Sequence, residues 1–154
     1  MSRWLMLSLF VLIADQATKQ LVEANFLVFE QLPVLPFLNL TLVYNEGAAF
    51  SFLSDQGGWQ RWLFSGLAAA VSVVLTVWLV RLRSGQKWTA AALSLLIGGA
   101  LGNLVDRLLF GHVIDFIDVF YGRWHWPAFN VADSAIFIGV AMILLETFFP
   151  RKTG

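Results

Sequence analysis

The chain has 154 residues, 58% of them hydrophobic and only 13% charged, with ten basic residues balancing ten acidic ones and no cysteine. A soluble domain carries about 25% charged residues, so this chain is expected to be solvated by lipid. The same numbers exclude disorder, disulfides and any cysteine nucleophile or thiolate metal site, and the zero net charge gives no basis for a nucleic-acid partner.

Four apolar stretches, near 4–23, 62–82, 89–109 and 130–149, each supply the roughly 20 helical residues that cross a bilayer core. They form one expected unit over 1–154. The first follows Arg3 and has the outline of a cleaved signal peptide. Asp15 and Lys19 inside it, and the three spans that follow, argue for a retained helix. Those two residues are four apart on one helical face and can pair. The segment 24–61 then reads as a β-rich loop. Phe37 to Tyr44 alternates like a strand, Asn45-Glu46-Gly47 is a turn signal, and Ala48 to Leu53 can return as a second strand. Residues 55–61, with Gly57, Gly58 and Trp59, read as an interfacial approach to the second span.

The third span contains Gly98 and Gly102, a spacing that lets two helices approach closely, and it ends in Asn103, Asp106 and Arg107. Arg107 can neutralise Asp106 or reach toward headgroups. The short connection that follows carries Asp115 in Val113-Ile114-Asp115-Phe116-Ile117, and Asp118, which is expected to be solvated. Asn130 with Asp133 three residues later has the form of a helix N-terminal capping box at the start of the fourth span.

Basic residues set the expected orientation. Arg3, then Arg81, Arg83 and Lys87, then Arg151 and Lys152 fall in regions that must share one side, which should be cytoplasmic. Both termini are then inside. Trp4, Trp78 and Trp88 would mark the inner interface, and Trp59, Trp62, Trp124 and Trp126 the outer one.

Placed by depth, Asp15, Lys19, Asn103, Asp106, Arg107, Asp115, Asn130 and Asp133 all reach one layer near the outer interface. Ionisable groups at such depth usually face a bundle interior or a wet cavity and mark function. Asp115 and Asp133, in near-apolar surroundings, suggest a carboxylate pair sharing one proton. Several blander or rival readings stand beside this. Asp133 can be a capping residue alone and Asn45 a turn residue. His112 and His125 could join the two aspartates around a metal, although neither falls in a His-Glu-x-x-His pattern, and a metal is not expected. Ser65, Ser72, Ser94 and Ser134 lack a nucleophile-elbow context. A small proton-coupled transporter or an assembly scaffold would also bury carboxylates beside cations, but no internal repeat is visible and the polar layer is off-centre.

Five motifs in order carry a resemblance: Asp15-Gln16-Ala17-Thr18-Lys19; Asn45-Glu46-Gly47-Ala48-Ala49-Phe50; Gly98-Gly99-Ala100-Leu101-Gly102-Asn103 running into Asp106-Arg107; Val113 to Ile117; and Phe129-Asn130-Val131-Ala132-Asp133-Ser134. Together they resemble the lipoprotein signal peptidase (signal peptidase II) family of bacterial membrane aspartic proteases, along nearly the whole chain. The resemblance implies an all-α membrane protein of four transmembrane helices, with a small periplasmic β-sheet cradle and an interfacial helix. It implies Asp115 and Asp133 as the catalytic pair, Asn45, Asn103, Arg107 and Asn130 around the active site, and Asp15 in support. The implied substrate is a prolipoprotein, cleaved on the amino side of its diacylglyceryl-modified cysteine. No metal or organic cofactor is implied. The implied setting is the bacterial cytoplasmic (inner) membrane, among membrane lipids, as a monomer with its active site near the periplasmic face.

Overall fold

A computed structural model describes residues 2–47 and 58–149. The apolar stretches are helices: α1 (Leu5–Asn25, after a 3-10 turn at Ser2–Trp4), α2 (Trp59–Arg81), α3 (Lys87–Leu109) and α4 (Val131–Phe148). All four are long and apolar enough to cross a membrane. At 1.5 Å per residue even the shortest, α4, reaches about 27 Å.

The helix α3 is the hub. Over half of its apolar window is buried (56%), against 17% for α2 and α4, so the other helices pack around α3 and turn most of their surface outward. Small residues let them come close. A Cβ on Gly98 would lie 2.7 Å from the Ser8 carbonyl oxygen on α1, and one on Gly99 would collide with the Ala132 carbonyl on α4. Contacts along the helices fix their directions. Ser8 Oγ donates to the Ser94 carbonyl at one end and Lys19 Nζ to Asn103 at the other, so α1 and α3 run parallel. Thr89 Oγ1 donates to Glu146 while Gly99 faces Ala132, so α4 is antiparallel to α3. Leu79 of α2 packs on Ala90, Leu93 and Ile97. At the opposite end of α2, Arg61 donates to the carbonyls of Arg107 (2.6 Å) and Leu108 (2.8 Å). Those carbonyls lie in the last turn of α3, where no intrahelical donor remains for them.

A four-stranded antiparallel sheet covers one end of the bundle. Its order is β1 (Gln31–Leu35), β2 (Leu38–Asn45), β3 (Val113–Tyr121), β4 (Trp124–His125). Pro33, which has no N–H to donate, lies on the edge strand. The expected strand at 37–44 is β2. The expected return strand at 48–53 lies outside the described residues. β2 pairs with β1 on one side and β3 on the other, so the α3–α4 connection forms part of the sheet. Gly122, at φ +62°, makes the two-residue turn between β3 and β4. Val22 of α1 joins Leu42, Ile114 and Phe116 in one buried cluster, which clamps the sheet to the end of α1. Among the described residues there is no separate interfacial helix: 59–61 form the first turn of α2, and 55–57 lie outside the described residues.

Candidate active site

Three elements converge where the sheet meets the bundle: strand β3 with Asp115, the first turn of α4 with Asp133, and the last two turns of α3 with Asn103 and Arg107. Asp115 is placed by its strand, in which the first four residues are all buried. Asp133 is placed by a helix start. Asn130 Oδ1 accepts the Asp133 N–H at 2.9 Å and Asp133 Oδ2 accepts the Asn130 N–H at 3.3 Å, a complete capping box. The segment before that cap is itself pinned to β3, because the Phe129 carbonyl accepts the Ile117 N–H at 2.8 Å. Strand and helix start are therefore held in register over a few residues.

Asn130 links the two aspartates. It is fully buried, caps α4 through its oxygen, and donates from Nδ2 to Asp115 Oδ1 at 2.7 Å. Asn45, at the end of β2, donates to Asp115 Oδ2 at 3.0 Å. Asn103 donates to Asp133 Oδ1 at 2.8 Å, and its own Oδ1 accepts from Asn130 Nδ2 and Lys19 Nζ. Arg107 reaches the Gly47 carbonyl at 3.2 Å and lies over the Phe64 ring. Its buried Nε has no partner among the described residues. The structure thus brings together Asp115, Asp133, Asn103, Arg107 and Asn130 from that layer, with Asn45 added from β2. Asp15 stands behind them, in a 2.8 Å ion pair with Lys19.

Burial pushes the Asp115 carboxyl up to about 7, and the nearby charge of Asp133 adds to the shift. The Asn45 and Asn130 donations and the charge of Lys19 oppose it without cancelling it. The Asp115 carboxyl can therefore gain and lose its proton near neutral pH while Asp133 stands close by. That is the arrangement in which one carboxyl can donate and the other accept.

Two expectations are corrected. Asp118 is not solvated. It is buried, accepts from Asn39 Nδ2 at 2.8 Å across the ladder, and pairs with His125 Nδ1 at 2.8 Å, because the β3–β4 hairpin folds His125 back over it. Arg107 is not the partner of Asp106, which instead pairs with Lys19 at 2.8 Å. The histidines stand elsewhere: His125 on Asp118, His112 against the Tyr44 ring at 4.1 Å between centroids. Among the described residues, no group of three or more His, Asp or Glu side chains is placed to hold a metal ion. The Asp15–Lys19 pair was legible as an i,i+4 spacing, but its third member, Asp106, comes from another span and left no local signal.

The relationships of the sequence extend over the same residues. Residues 7–149 match the family described as signal peptidase (SPase) II. Among similar proteins, a lipoprotein signal peptidase of Pseudomonas fluorescens (strain Pf0-1) is 57% identical over 98% of this chain and 90% of its own length. One from Acinetobacter baylyi is 52% identical over 97% of this chain and 83% of its own length. Among solved structures, a bacterial membrane enzyme determined by the in meso method at 2.3 Å superposes with a TM-score of 0.85 at 32% identity, covering 100% of this chain and 94% of that one.

Proposed function

The chain belongs to the signal peptidase II family, and from that premise we propose that Asp115 and Asp133 are the catalytic dyad with which it removes signal peptides from prolipoproteins. Signal-peptide removal follows from relatives more than 50% identical over nearly the full length. The transporter and scaffold readings are not favoured.

The observation that carries the assignment is the shared clamp on the two carboxyls. One asparagine, Asn130, holds both, while Asn45 and Asn103 hold one each from opposite sides. In the proposed reaction the pair holds one proton and one water. The ionised carboxylate takes a proton from the water as it attacks the scissile carbonyl, and the protonated partner donates toward the departing amine. The proton belongs to the pair, so the parts of acid and base are assigned to the two aspartates jointly. Arg107, whose buried Nε has no partner among the described residues, is suited to bind the substrate backbone or the developing oxyanion.

The bond cleaved is the one on the amino side of a diacylglyceryl-modified cysteine. A site at the end of the bundle suits such a substrate: its acyl chains stay in lipid between helices while the peptide reaches the polar layer. The sheet end then faces the periplasm, with both termini cytoplasmic, and the enzyme works as a monomer in the inner membrane. Incubating purified protein with a lipidated precursor should release the signal peptide, and Asp115→Asn or Asp133→Asn should each stop the release in a folded, inserted protein. Release that persists in either variant would overturn the dyad. Activity should survive chelators, and its loss on chelation would revive a metal mechanism.

A further inference from the structure

We propose that Lys19 is a positioning residue for this reaction: its ammonium ties together the two carboxylates that grip the backbone immediately before each catalytic aspartate. The inference rests on the dyad reading above and extends it to groups that touch no substrate.

The geometry is a tripod. An ammonium has three N–H donors and no acceptor. The Nζ of Lys19 is matched by three oxygens: Asp15 Oδ2 at 2.8 Å, Asp106 Oδ2 at 2.8 Å and Asn103 Oδ1 at 2.9 Å. Lys19, Asp15 and Asp106 are all fully buried. Each foot of the tripod then leads to the dyad. Asp15 Oδ1 accepts the N–H of Ala132 at 2.8 Å, and the next residue is Asp133. Asp106 Oδ2 accepts the N–H of Ile114 at 3.1 Å, and the next residue is Asp115. Asn103 passes the effect on directly, through its 2.8 Å donation to Asp133. Because Lys19 can only donate, it forces Asn103 to turn its oxygen inward and its NH2 toward the Asp133 carboxylate. With the amide reversed, an oxygen would face that carboxylate.

A buried ion group of this kind brings little net stability over apolar packing. Its contribution is therefore to geometry: it joins α1 to α3 and, through two backbone N–H groups, sets where β3 stands relative to α4. Gln16 supports the same carboxylate from the side, donating to Asp106 Oδ1 at 2.7 Å. The spacing of Asp115 and Asp133 is thus fixed from both sides, by Asn130 in front and by Lys19 behind.

The test compares Lys19→Met, which keeps length and removes the donors, with Asp106→Asn. Asp106 Oδ2 accepts from both Lys19 and Ile114, so the amide of Asp106→Asn keeps one oxygen there but loses the charge that holds Lys19 and sets its NH2 against the Gln16 donor. Both are assayed on a lipidated precursor for kcat, on an uncleavable precursor analogue for Kd, and for thermal unfolding, beside Asp115→Asn and Asp133→Asn. Lys19→Met should lose about 100-fold in kcat, as expected for a displacement of about 1 Å at the reacting groups. Asp106→Asn should lose about tenfold, and Kd should stay within about threefold in both. A folded variant of either kind cleaving at near the parent rate would overturn the proposal. So would kcat and binding failing together, or neither variant accumulating folded, since both outcomes would make the group merely structural. If Asp115→Asn and Asp133→Asn still cleave, the dyad reading itself falls, and positioning with it.

Discussion

Asp115 and Asp118 stand three residues apart on one strand, both buried, each accepting a hydrogen bond from an asparagine of β2. Their surroundings differ in what comes third. Asp118 meets His125, a side chain able to carry positive charge. Asp115 meets Asn130, a neutral donor, and stands near a second carboxyl, Asp133. A buried carboxylate beside a potential cation is a finished structural contact. A buried carboxylate beside another carboxylate has to share or trade a proton. On the proposed dyad, the motif Asp-Phe-Ile-Asp holds one reactive acid and one structural acid, and neighbours from distant elements decide which is which.

The largest contrast should appear on replacing each acid by its isosteric amide. Asp115→Asn should lower cleavage of a lipidated precursor by about 10³-fold or more, in the range removed with a general acid or base. Asp118→Asn should leave kcat within about twofold and instead lower stability by about 1 kcal/mol, the worth of a typical buried hydrogen bond. Comparable losses of kcat in both variants would erase the distinction. The next effect separates two roles of one residue. Asn130→Ser keeps a side-chain oxygen for the α4 cap but cannot span to Asp115. It should lose about tenfold or more in kcat with little change in thermal midpoint. Asn130→Ala should add a stability loss of about 1 kcal/mol for the missing cap. If the two variants match in both readouts, the cap and the clamp are not separable functions.

Much of this contrast was legible in the sequence only on one side. The four spans were readable because about 20 apolar residues have few other uses, and the polar layer because helix rise converts position into depth. The capping box was readable from Asn130 and Asp133 alone, since its geometry is local. The strand β3 was not. Its residues Val113 to Phe116 are buried on both faces, so the alternation that betrayed β2 is missing, as in any strand covered on two sides. Asp118 was misjudged for the same reason: its partners Asn39 and His125 are supplied by another strand and a hairpin. Adjacency offered Arg107 as one partner for Asp106, whereas α1 delivers Lys19 to it across the bundle.

A smaller effect comes from pH. The Asp115 carboxyl is raised from 3.8 to about 7 in the folded protein. Across that window the folded state keeps a proton that the unfolded chain has released. Stability should therefore fall as pH rises from about 4 to about 7, and this contribution should be flat on either side. Asp115→Asn cannot ionise, so its thermal midpoint should lose that slope and exceed the parent's at pH 8. Asp118→Asn should keep the slope. A parent whose midpoint holds steady or rises through the window would show that Asp115 is not the acid that retains its proton. The rise in stability expected for Asp115→Asn, set against its loss of activity, is the trade that a site built from crowded like charges should show.

The smallest effect tests the quiet side of the comparison. The His125 side chain is 44% exposed, so solvent screens its pairing with Asp118, and its ring is also stacked on Phe120 at 5.2 Å. His125→Gln should keep a donor for Asp118 and change the thermal midpoint by the equivalent of about 0.5 kcal/mol, in the range of partly exposed ion pairs. Cleavage should be unaltered at every pH at which the parent is active, because the side-chain contacts of His125 are with Asp118 and Phe120. A shift in the pH profile of cleavage, with stability unchanged, would mean that Asp118 and His125 communicate with the dyad along β3. The two acids of that strand would then have to be treated as one titrating unit.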